Sequence, residues 1–123
     1  MNLNTARVFV RDIASAKGFY AGALGLSIKT DGSSQGFCVF NAGSATLVVE
    51  AVPNDAPQEE LDLVGRFTGL SFDVPSAKAA YENLSSRGVT FTGPPEKQFW
   101  GGTLATLQDP SGNELQICER PPQ

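Results

Sequence analysis

The same order of predicted elements occurs twice along this chain, and that repeat constrains the fold more than any other feature. Between Ala6 and Val10 apolar side chains alternate with others, as in a half-buried strand. Asp12 can cap a helix that runs to about Leu24, and three short strands follow. The pattern begins again at Leu70. Both halves therefore predict the order β-α-β-β-β.

The repeat divides the 123 residues into two modules. The predicted strands cover 6–10, 26–29, 37–40 and 45–52, then 70–74, 89–92, 102–108 and 114–119. Pro75-Ser76 opens the second helix and Gly88 ends it, while Asp31 to Ser34 reads as a loop. Residues 53–65 are polar and acidic with two prolines, so we interpret them as a linker between modules 1–52 and 66–123. We predict an α+β fold and a single domain over 1–123.

The two modules match in the order of their predicted elements more closely than in their amino-acid identities. An offset of 64 residues places Val8 on Phe72. Near the end of each module an offset of 69 places Val48 on Ile117 and Glu50 on Glu119.

The sequence contains no histidine. This removes the commonest acid–base group at neutral pH and excludes Ser-His-Asp and Cys-His mechanisms. Cys38 and Cys118 lie far apart and form no CxxC pair, which argues against a zinc or iron–sulfur site. We expect two buried, reduced thiols.

The net charge and the hydropathy of the chain limit the classes of partner that we expect it to bind. The net charge is −4, which disfavours nucleic acid and is compatible with cationic small molecules. No apolar run approaches the ~20 residues of a membrane span, so we expect no membrane partner. The first seven residues hold no basic region followed by an apolar core, so we expect no signal peptide and a cytoplasmic location.

Several short motifs stand in a fixed order within the repeat. They are Val10-Arg11-Asp12-Ile13, Gly18-Phe19-Tyr20, Leu24-Gly25-Leu26, Phe72-Asp73-Val74-Pro75, Trp100-Gly101-Gly102 and Asp109-Pro110-Ser111-Gly112-Asn113-Glu114-Leu115. Together they resemble the vicinal oxygen chelate superfamily, the glyoxalase/bleomycin resistance protein/dioxygenase group. The resemblance implies two βαβββ modules whose mixed sheets curl into a cup. It also implies a homodimer with its ligand site at or near the interface.

The resemblance also implies where a metal would bind. Metal-dependent members hold a divalent ion with His and Glu on four strands, and the matching positions here are Thr5, Leu47, Gly69 and Gln116. None of these is His or a carboxylate, and a divalent cation generally needs such ligands. We therefore expect no metal and no cofactor, and these positions argue against metal-dependent lyase or dioxygenase activity.

Strand periodicity predicts which residues accompany these four positions. Side chains two apart on a strand share a face. The cup face would add Arg7, Phe9, Val49, Ser71, Asp73, Glu114 and Cys118. The opposite face would be apolar throughout, with Ala6, Val8, Val10, Leu70, Phe72, Val74, Leu115 and Ile117.

Charged residues on the predicted cup face allow two interpretations. Arg7 beside Asp73 or Glu114 would form an internal ion pair, or it would orient a ligand. Glu50 lies three residues after Leu47, so we place it on the other side of the strand as a solvated carboxylate rather than a metal ligand.

The loop before the seventh predicted strand holds the only tryptophan. In Gln98-Phe99-Trp100-Gly101-Gly102 the rings could stack on a flat ligand, and the glycines would let the backbone approach it closely. The alternative is that Phe99 or Trp100 covers the core or a dimer interface. Asp109 to Asn113 reads as a tight turn whose Asp and Asn bond the local backbone.

The sequence favours a metal-free protein that binds a planar or cationic small molecule, with sequestration of an antibiotic as one form of that function. The predicted ligand-binding residues are Arg7, Phe9, Leu47, Val49, Ser71, Asp73, Phe99, Trp100, Glu114 and Gln116. No catalytic residue is assigned. Two alternatives remain open: a superfamily enzyme, such as a glyoxalase-like lyase, isomerase or dioxygenase, and a structural or regulatory dimer with an inactive cup.

Overall fold

The structure of the protein is a computed structural model that describes residues 1–122. Within this range the strands are β1 (Thr5–Val10), β2 (Ile28–Gly32), β3 (Phe37–Ala42), β4 (Ala45–Ala51), β5 (Phe67–Asp73), β6 (Thr90–Phe91), β7 (Glu96–Lys97), β8 (Thr103–Gln108) and β9 (Glu114–Glu119). The helices are α1 (Ile13–Lys17), α2 (Gln58–Leu61) and α3 (Ala77–Ser86). A π-helical segment, Gly18–Ala23, continues α1, and Ser33–Gln35 forms a 3₁₀ turn.

The chain divides into two compact units. The first contains residues 1–66 together with the turn 110–113, and the second contains residues 67–109 and the chain from Glu114 onward. Each unit has its own sheet, and the linker segment 53–65 with its short helix α2 belongs to the first unit.

The two sheets repeat one topology. The first sheet has the order β1-β4-β3-β2, and the second has the order β5-β9-β8-β6 with the short β7 paired to β8. In each unit the first and last strands are parallel and the other pairs are antiparallel. The predicted α+β class with two βαβββ modules is therefore confirmed, with β7 as an addition.

Both predicted helix starts are capped by side chains. The Asp12 carboxylate accepts a hydrogen bond from the Ala14 amide, and the Ser76 hydroxyl accepts one from the Ala79 amide. These bonds satisfy amides that have no partner inside the helix. The first helix was predicted to run to about Leu24, and the α1 and π-helical segments together end at Ala23.

The second strand differs from its prediction. We expected a strand at 26–29 followed by a loop from Asp31 to Ser34, whereas β2 runs from Ile28 to Gly32 and the turn comes after it. A ladder to β3, which pairs Asp31 with Cys38, holds this stretch in the sheet. Tertiary pairing here overrides the local turn preference of Asp and Gly.

The core of the first unit lies between the helix and one face of its sheet. Tyr20 packs on Phe40, with ring centroids 5.8 Å apart, and both side chains are fully buried. Val8 and Val10 from β1 join them, as predicted for the apolar face. Burial of such side chains is the main term that stabilises a sheet under a helix.

The second unit repeats this arrangement. Leu107, Leu115 and Ile117 are buried on the face against which α3 packs. Tyr81 of α3 meets Phe91 of β6 edge-on, with centroids 4.8 Å apart. Cys38 and Cys118 are buried free thiols, as expected.

A buried asparagine holds the 110–113 turn within the first unit. The Asn113 side-chain oxygen accepts hydrogen bonds from the amides of Gly65 (2.8 Å) and Arg66 (3.1 Å). Its side-chain nitrogen donates to the Phe9 carbonyl oxygen at 2.7 Å. These partners lie about 50 to 100 residues away in sequence, so Asn113 joins distant segments of the first unit in addition to its place in the predicted tight turn.

No helix among residues 1–122 has the length and apolar character needed to cross a membrane.

Candidate ligand-binding site

Each sheet has one face packed on a helix and one face turned away from it, which we call the open face. On the first sheet, the register of β1, β4 and β3 places nine side chains on the open face. They are Thr5, Arg7, Phe9, Thr46, Val48, Glu50, Phe37, Val39 and Asn41.

An ion pair lies on the open face of the first sheet. Arg7 binds Glu50 through two hydrogen bonds, Nε to Oε2 at 2.6 Å and the terminal nitrogen to Oε1 at 3.0 Å. The Arg7 guanidinium also lies 5.0 Å from the centroid of the Phe9 ring. A planar guanidinium suits both a bidentate carboxylate and an aromatic face.

This pair alters the electrostatics of Arg7. The hydrogen bond to Glu50, and then the charge of Glu50, raise the pKa of Arg7 above its ordinary value. The Arg7 side chain is 59% exposed, so solvent screens the pair. The sequence leaves open whether Arg7 pairs with Asp73 or Glu114 or contacts a ligand. Its carboxylate partner is Glu50.

The predicted face of Leu47 and Val49 is wrong. In the parallel β1–β4 pair Leu47 lies opposite Ala6 and Val49 opposite Val8, and both side chains are buried on the helix-facing side. The residues of β4 that share a face with Arg7 are Thr46, Val48 and Glu50. Leu47 and Val49 therefore belong to the core, because the assumed alignment of β4 with β9 was shifted by one residue.

The sequence could have revealed this shift. Ala6, Val8 and Val10 form the apolar face of β1, and a parallel neighbour buries its apolar alternates on the same side. Leu47 and Val49 are the apolar alternates of β4 that match them. That criterion would have placed Glu50 on the open face.

Two phenylalanines of β3 point to opposite sides. Phe40 lies in the core, whereas Phe37 is half-buried on the open face opposite Glu50. The Phe37 ring covers the backbone of Gly32 on β2, where any Cβ would overlap it. A larger residue at position 32 would therefore require the Phe37 ring to move.

The open face of the second sheet carries its own ion pair. Arg120 Nε lies 3.1 Å from Asp73 Oδ1, and its terminal nitrogen lies 2.5 Å from Oδ2. The hydrogen bond to Asp73, and then its charge, raise the pKa of Arg120. Sequence reasoning did not identify Arg120, because it lies beyond the last predicted strand. Ser71 shares this face with Asp73.

A pocket of about 270 Å³ opens on the second unit. Gln116 of β9 lines it and donates a hydrogen bond from Nε2 to Thr106 Oγ1 at 3.3 Å. Glu114, the next residue along this face, accepts one from Gln108 at 3.4 Å. The remaining lining residues are Thr92, Gly93, Pro94, Glu96, Gln98, Leu104 and Ala105.

Glu96 is the single charged side chain among the described residues that line this pocket. Its carboxylate has no hydrogen-bond or ion-pair partner within residues 1–122. The other polar groups of the lining are neutral hydroxyls and amides. A pocket of this composition favours a cation or a donor of hydrogen bonds over an anion.

The tryptophan loop borders this pocket through Gln98. The Gln98 amide donates to the Gly102 carbonyl oxygen at 2.7 Å, and the Gly101 amide donates to the Gln98 carbonyl oxygen at 3.0 Å. The Trp100 ring lies against Gly102, where any Cβ would overlap it. Trp100 is 44% exposed, Phe99 is fully exposed, and neither ring lines the pocket.

A family comparison fits this geometry. The sequence model of the Glyoxalase/Bleomycin resistance protein/Dioxygenase superfamily matches residues 2–117, nearly the whole chain. The chain belongs to this superfamily. The resemblance drawn from the motif order is therefore confirmed.

Solved structures of the superfamily share the fold. A member from Sphaerobacter thermophilus is 28% identical, with 98% of each chain covered and a TM-score of 0.78. UcmS2 is 26% identical, with 96% of this chain and 97% of that chain covered and a TM-score of 0.79. TnmS3, an antibiotic binding protein from Streptomyces sp. CB03234, is 25% identical over 97% of this chain and 95% of its own, with a TM-score of 0.75. No curated protein matches the chain.

The superfamily's metal positions can now be tested on this chain. In the first unit they fall on Thr5 and, by the corrected register, on Val48. The Thr5 hydroxyl donates a hydrogen bond to the Asn4 side-chain oxygen. The Val48 side chain has no oxygen, nitrogen or sulfur atom that could bind a metal. In the second unit they fall on Gly69, which has no side chain, and on Gln116. These residues do not fit a divalent ion, and no three His, Cys, Asp or Glu side chains cluster within residues 1–122.

Proposed function

We propose that the chain binds a planar or cationic small molecule directly, without metal or cofactor, and sequesters it rather than converting it. The observation that carries this proposal is the pocket around Gln116, whose one charged lining residue is the unpaired Glu96. Glu96 is exposed at this pocket, so a ligand cation can reach its carboxylate and form a charge-assisted hydrogen bond with it.

The aromatic residues support a planar ligand. Trp100, two residues after the pocket-lining Gln98, exposes nearly half of its surface, and Phe99 exposes all of its ring. Both rings sit in a short loop closed by backbone hydrogen bonds, so a ligand would not have to order a long segment. On the first unit Phe9 and Phe37 offer further aromatic surface beside Glu50.

Antibiotic sequestration is the specific form that the comparisons support. TnmS3 is an antibiotic binding protein, and its fold matches this chain over nearly its full length. The donor set at the superfamily's metal positions also supports binding over metal-assisted turnover, because it offers no charged or imidazole ligand.

We further infer that the protein works in the cytoplasm as a homodimer. The resemblance to small superfamily members, which are usually homodimers, supports the dimer. Exposed Phe67 and Phe99 support it as well, because such rings are commonly covered at an interface. Light scattering after gel filtration would show twice the chain mass, and a monomer at micromolar concentration would contradict this inference.

Ligand titration followed by Trp100 fluorescence tests the proposed function. Ethidium, a planar cation, should quench the emission saturably, whereas a planar anion such as 2-naphthoate should not. Glu96→Gln should weaken ethidium binding about ten-fold, the loss of one charge-assisted hydrogen bond. The matched control Glu82→Gln removes an exposed carboxylate of α3 and should leave the affinity unchanged.

Two results would contradict the proposal. Equal loss in Glu96→Gln and Glu82→Gln would mean that net charge alone attracts the dye. Recovery of a chemically altered ligand, checked by mass spectrometry after incubation, would make the protein an enzyme instead.

A further inference from the structure

A second pocket lies in the first unit, apart from the residues assigned above. Its volume is about 420 Å³, within the range typical of small-molecule sites. The chain just after β1, the chain just after β4 and the α2 region form it. We call it the linker pocket, and its lining residues are Arg11, Val52, Asn54, Gln58, Leu61, Asp62 and Val64.

Two opposite charges line the linker pocket without pairing. The Arg11 guanidinium has no hydrogen bond or ion pair among residues 1–122. The Asp62 carboxylate accepts a hydrogen bond from Gln58 Nε2 at 2.7 Å, and it forms no ion pair in that range. The nearby Arg66 binds the backbone carbonyl oxygen of Asp62, at 2.9 Å, and not its carboxylate.

The rest of the lining is suited to an aliphatic body. Val52 is buried, and Leu61 and Val64 are half-buried. Asn54 and Gln58 add amide groups that can donate or accept hydrogen bonds. The pocket therefore combines one cation, one anion, two amides and an apolar wall within a single recess.

We propose that the linker pocket binds a small aliphatic zwitterion, such as an amino acid, which carries one carboxylate and one ammonium group. Arg11 would hold the carboxylate through its planar donors, and Asp62 would hold the ammonium through its free lone pairs. The Asp62 carboxylate would repel a simple anion, and the Arg11 guanidinium would repel a simple cation. A zwitterion satisfies both and leaves the net charge of the site unchanged.

The affinity should be modest. Both charged residues are exposed at the pocket rim, so water and salt screen them. We expect dissociation constants in the millimolar range, weakened by added salt. This is the range in which an abundant amino acid or a related solute would occupy the site.

Matched probes of equal chain length test the proposal on the unmodified protein. Backbone amide shifts of residues 54–64 would be followed by NMR during titration with 6-aminohexanoate, hexanoate and hexylamine, and with leucine and 4-aminobutanoate to vary the spacing of the charges. At least one zwitterion should shift these amides saturably and bind about ten-fold more tightly than hexanoate or hexylamine. This comparison of ligand affinities requires no variant of the protein.

Variants assign the two charges. Arg11→Gln should remove the preference for the zwitterion that binds over hexylamine, and Asp62→Asn should remove its preference over hexanoate. Glu59→Gln, on α2 but outside the pocket, and Lys29→Gln, on β2, should leave binding unchanged. The proposal is overturned if no zwitterion shifts these amides, if hexanoate or hexylamine binds as tightly, or if the control variants weaken binding equally.

Discussion

At the residue scale, the side chains that organise this molecule are polar groups with several partners. Asn113 bonds the backbone at Phe9, Gly65 and Arg66, and it is 1% exposed. Arg7 and Arg120 each hold one carboxylate through two nitrogen atoms. A buried amide of this kind fixes chain segments far apart in sequence, whereas exposed pairs mainly orient side chains.

Asn113→Ala should be strongly destabilising. The change leaves two backbone amides and one carbonyl oxygen without their partner, and we expect a loss of about 3 kcal/mol in the free energy of unfolding. Urea denaturation followed by circular dichroism would measure it. Asn41→Ala removes an exposed amide that bonds the Ser27 hydroxyl and should cost less than about 1 kcal/mol. Equal losses would show that Asn113 has no special role.

Asp31 should make stability depend on acid pH. The hydrogen bond from Lys17, and then bonds from the Ser33 hydroxyl and amide, hold the pKa of Asp31 well below its usual value of 3.8. A lowered folded-state pKa stabilises the fold above the usual value, and that contribution is lost as pH falls below it. The difference in unfolding free energy between wild type and Asp31→Asn should therefore be constant near neutral pH and shrink below about pH 4.

Asp55→Asn provides the control for that experiment. Asp55 is exposed and forms no ion pair within the described chain, so its difference from wild type should not shrink in acid. A gap for Asp31→Asn that stays constant down to pH 2.5 would refute the role of the Lys17–Asp31 pair.

At the element scale, the sequence predicts the elements better than their faces. Local sequence signals predict the helix caps at Asp12 and Ser76 and the repeated βαβββ order. The structure contains these features. The face of β4 was misassigned because letter matches suggested an offset of 69. The register instead matches Arg7 with Val48 and Ser71 with Gln116, which gives offsets of 64 and 68.

Glu50 and Glu119 show why identical residues in the two modules gave the wrong alignment of β4 with β9. Glu50 lies on the open face beside Arg7, whereas the Glu119 carboxylate accepts a hydrogen bond from the Ala77 amide at the start of α3. Which carboxylate pairs with which arginine also depends on side-chain placement across strands, and strand periodicity does not encode it.

The tryptophan loop supplies a prediction about an element. Gly102→Ala should displace the Trp100 ring, because the new methyl group would overlap it. The emission of Trp100 should shift to longer wavelength as the indole moves into water. Gly18→Ala, where a Cβ meets open space, should leave the emission unchanged. An unchanged spectrum in Gly102→Ala would mean that the ring does not rest on this glycine.

At the scale of the whole molecule, the repeat divides the chemistry between two units of one topology. Each open face carries an arginine–carboxylate pair, Arg7–Glu50 in the first unit and Asp73–Arg120 in the second. Glu96, which has no partner within residues 1–122, lies in the pocket of the second unit. The net charge of −4 adds a weak attraction for cations, which salt screens.

Ethidium affinity with and without metal tests the central claim, direct ligand binding without a metal ion, most directly. Untagged protein would be titrated through Trp100 fluorescence, once in EDTA and once after loading with zinc, manganese, iron or nickel and desalting. We predict the same dissociation constant in every sample and no stoichiometric metal retained after desalting. Binding that vanishes in EDTA and returns with one equivalent of a metal would contradict the account.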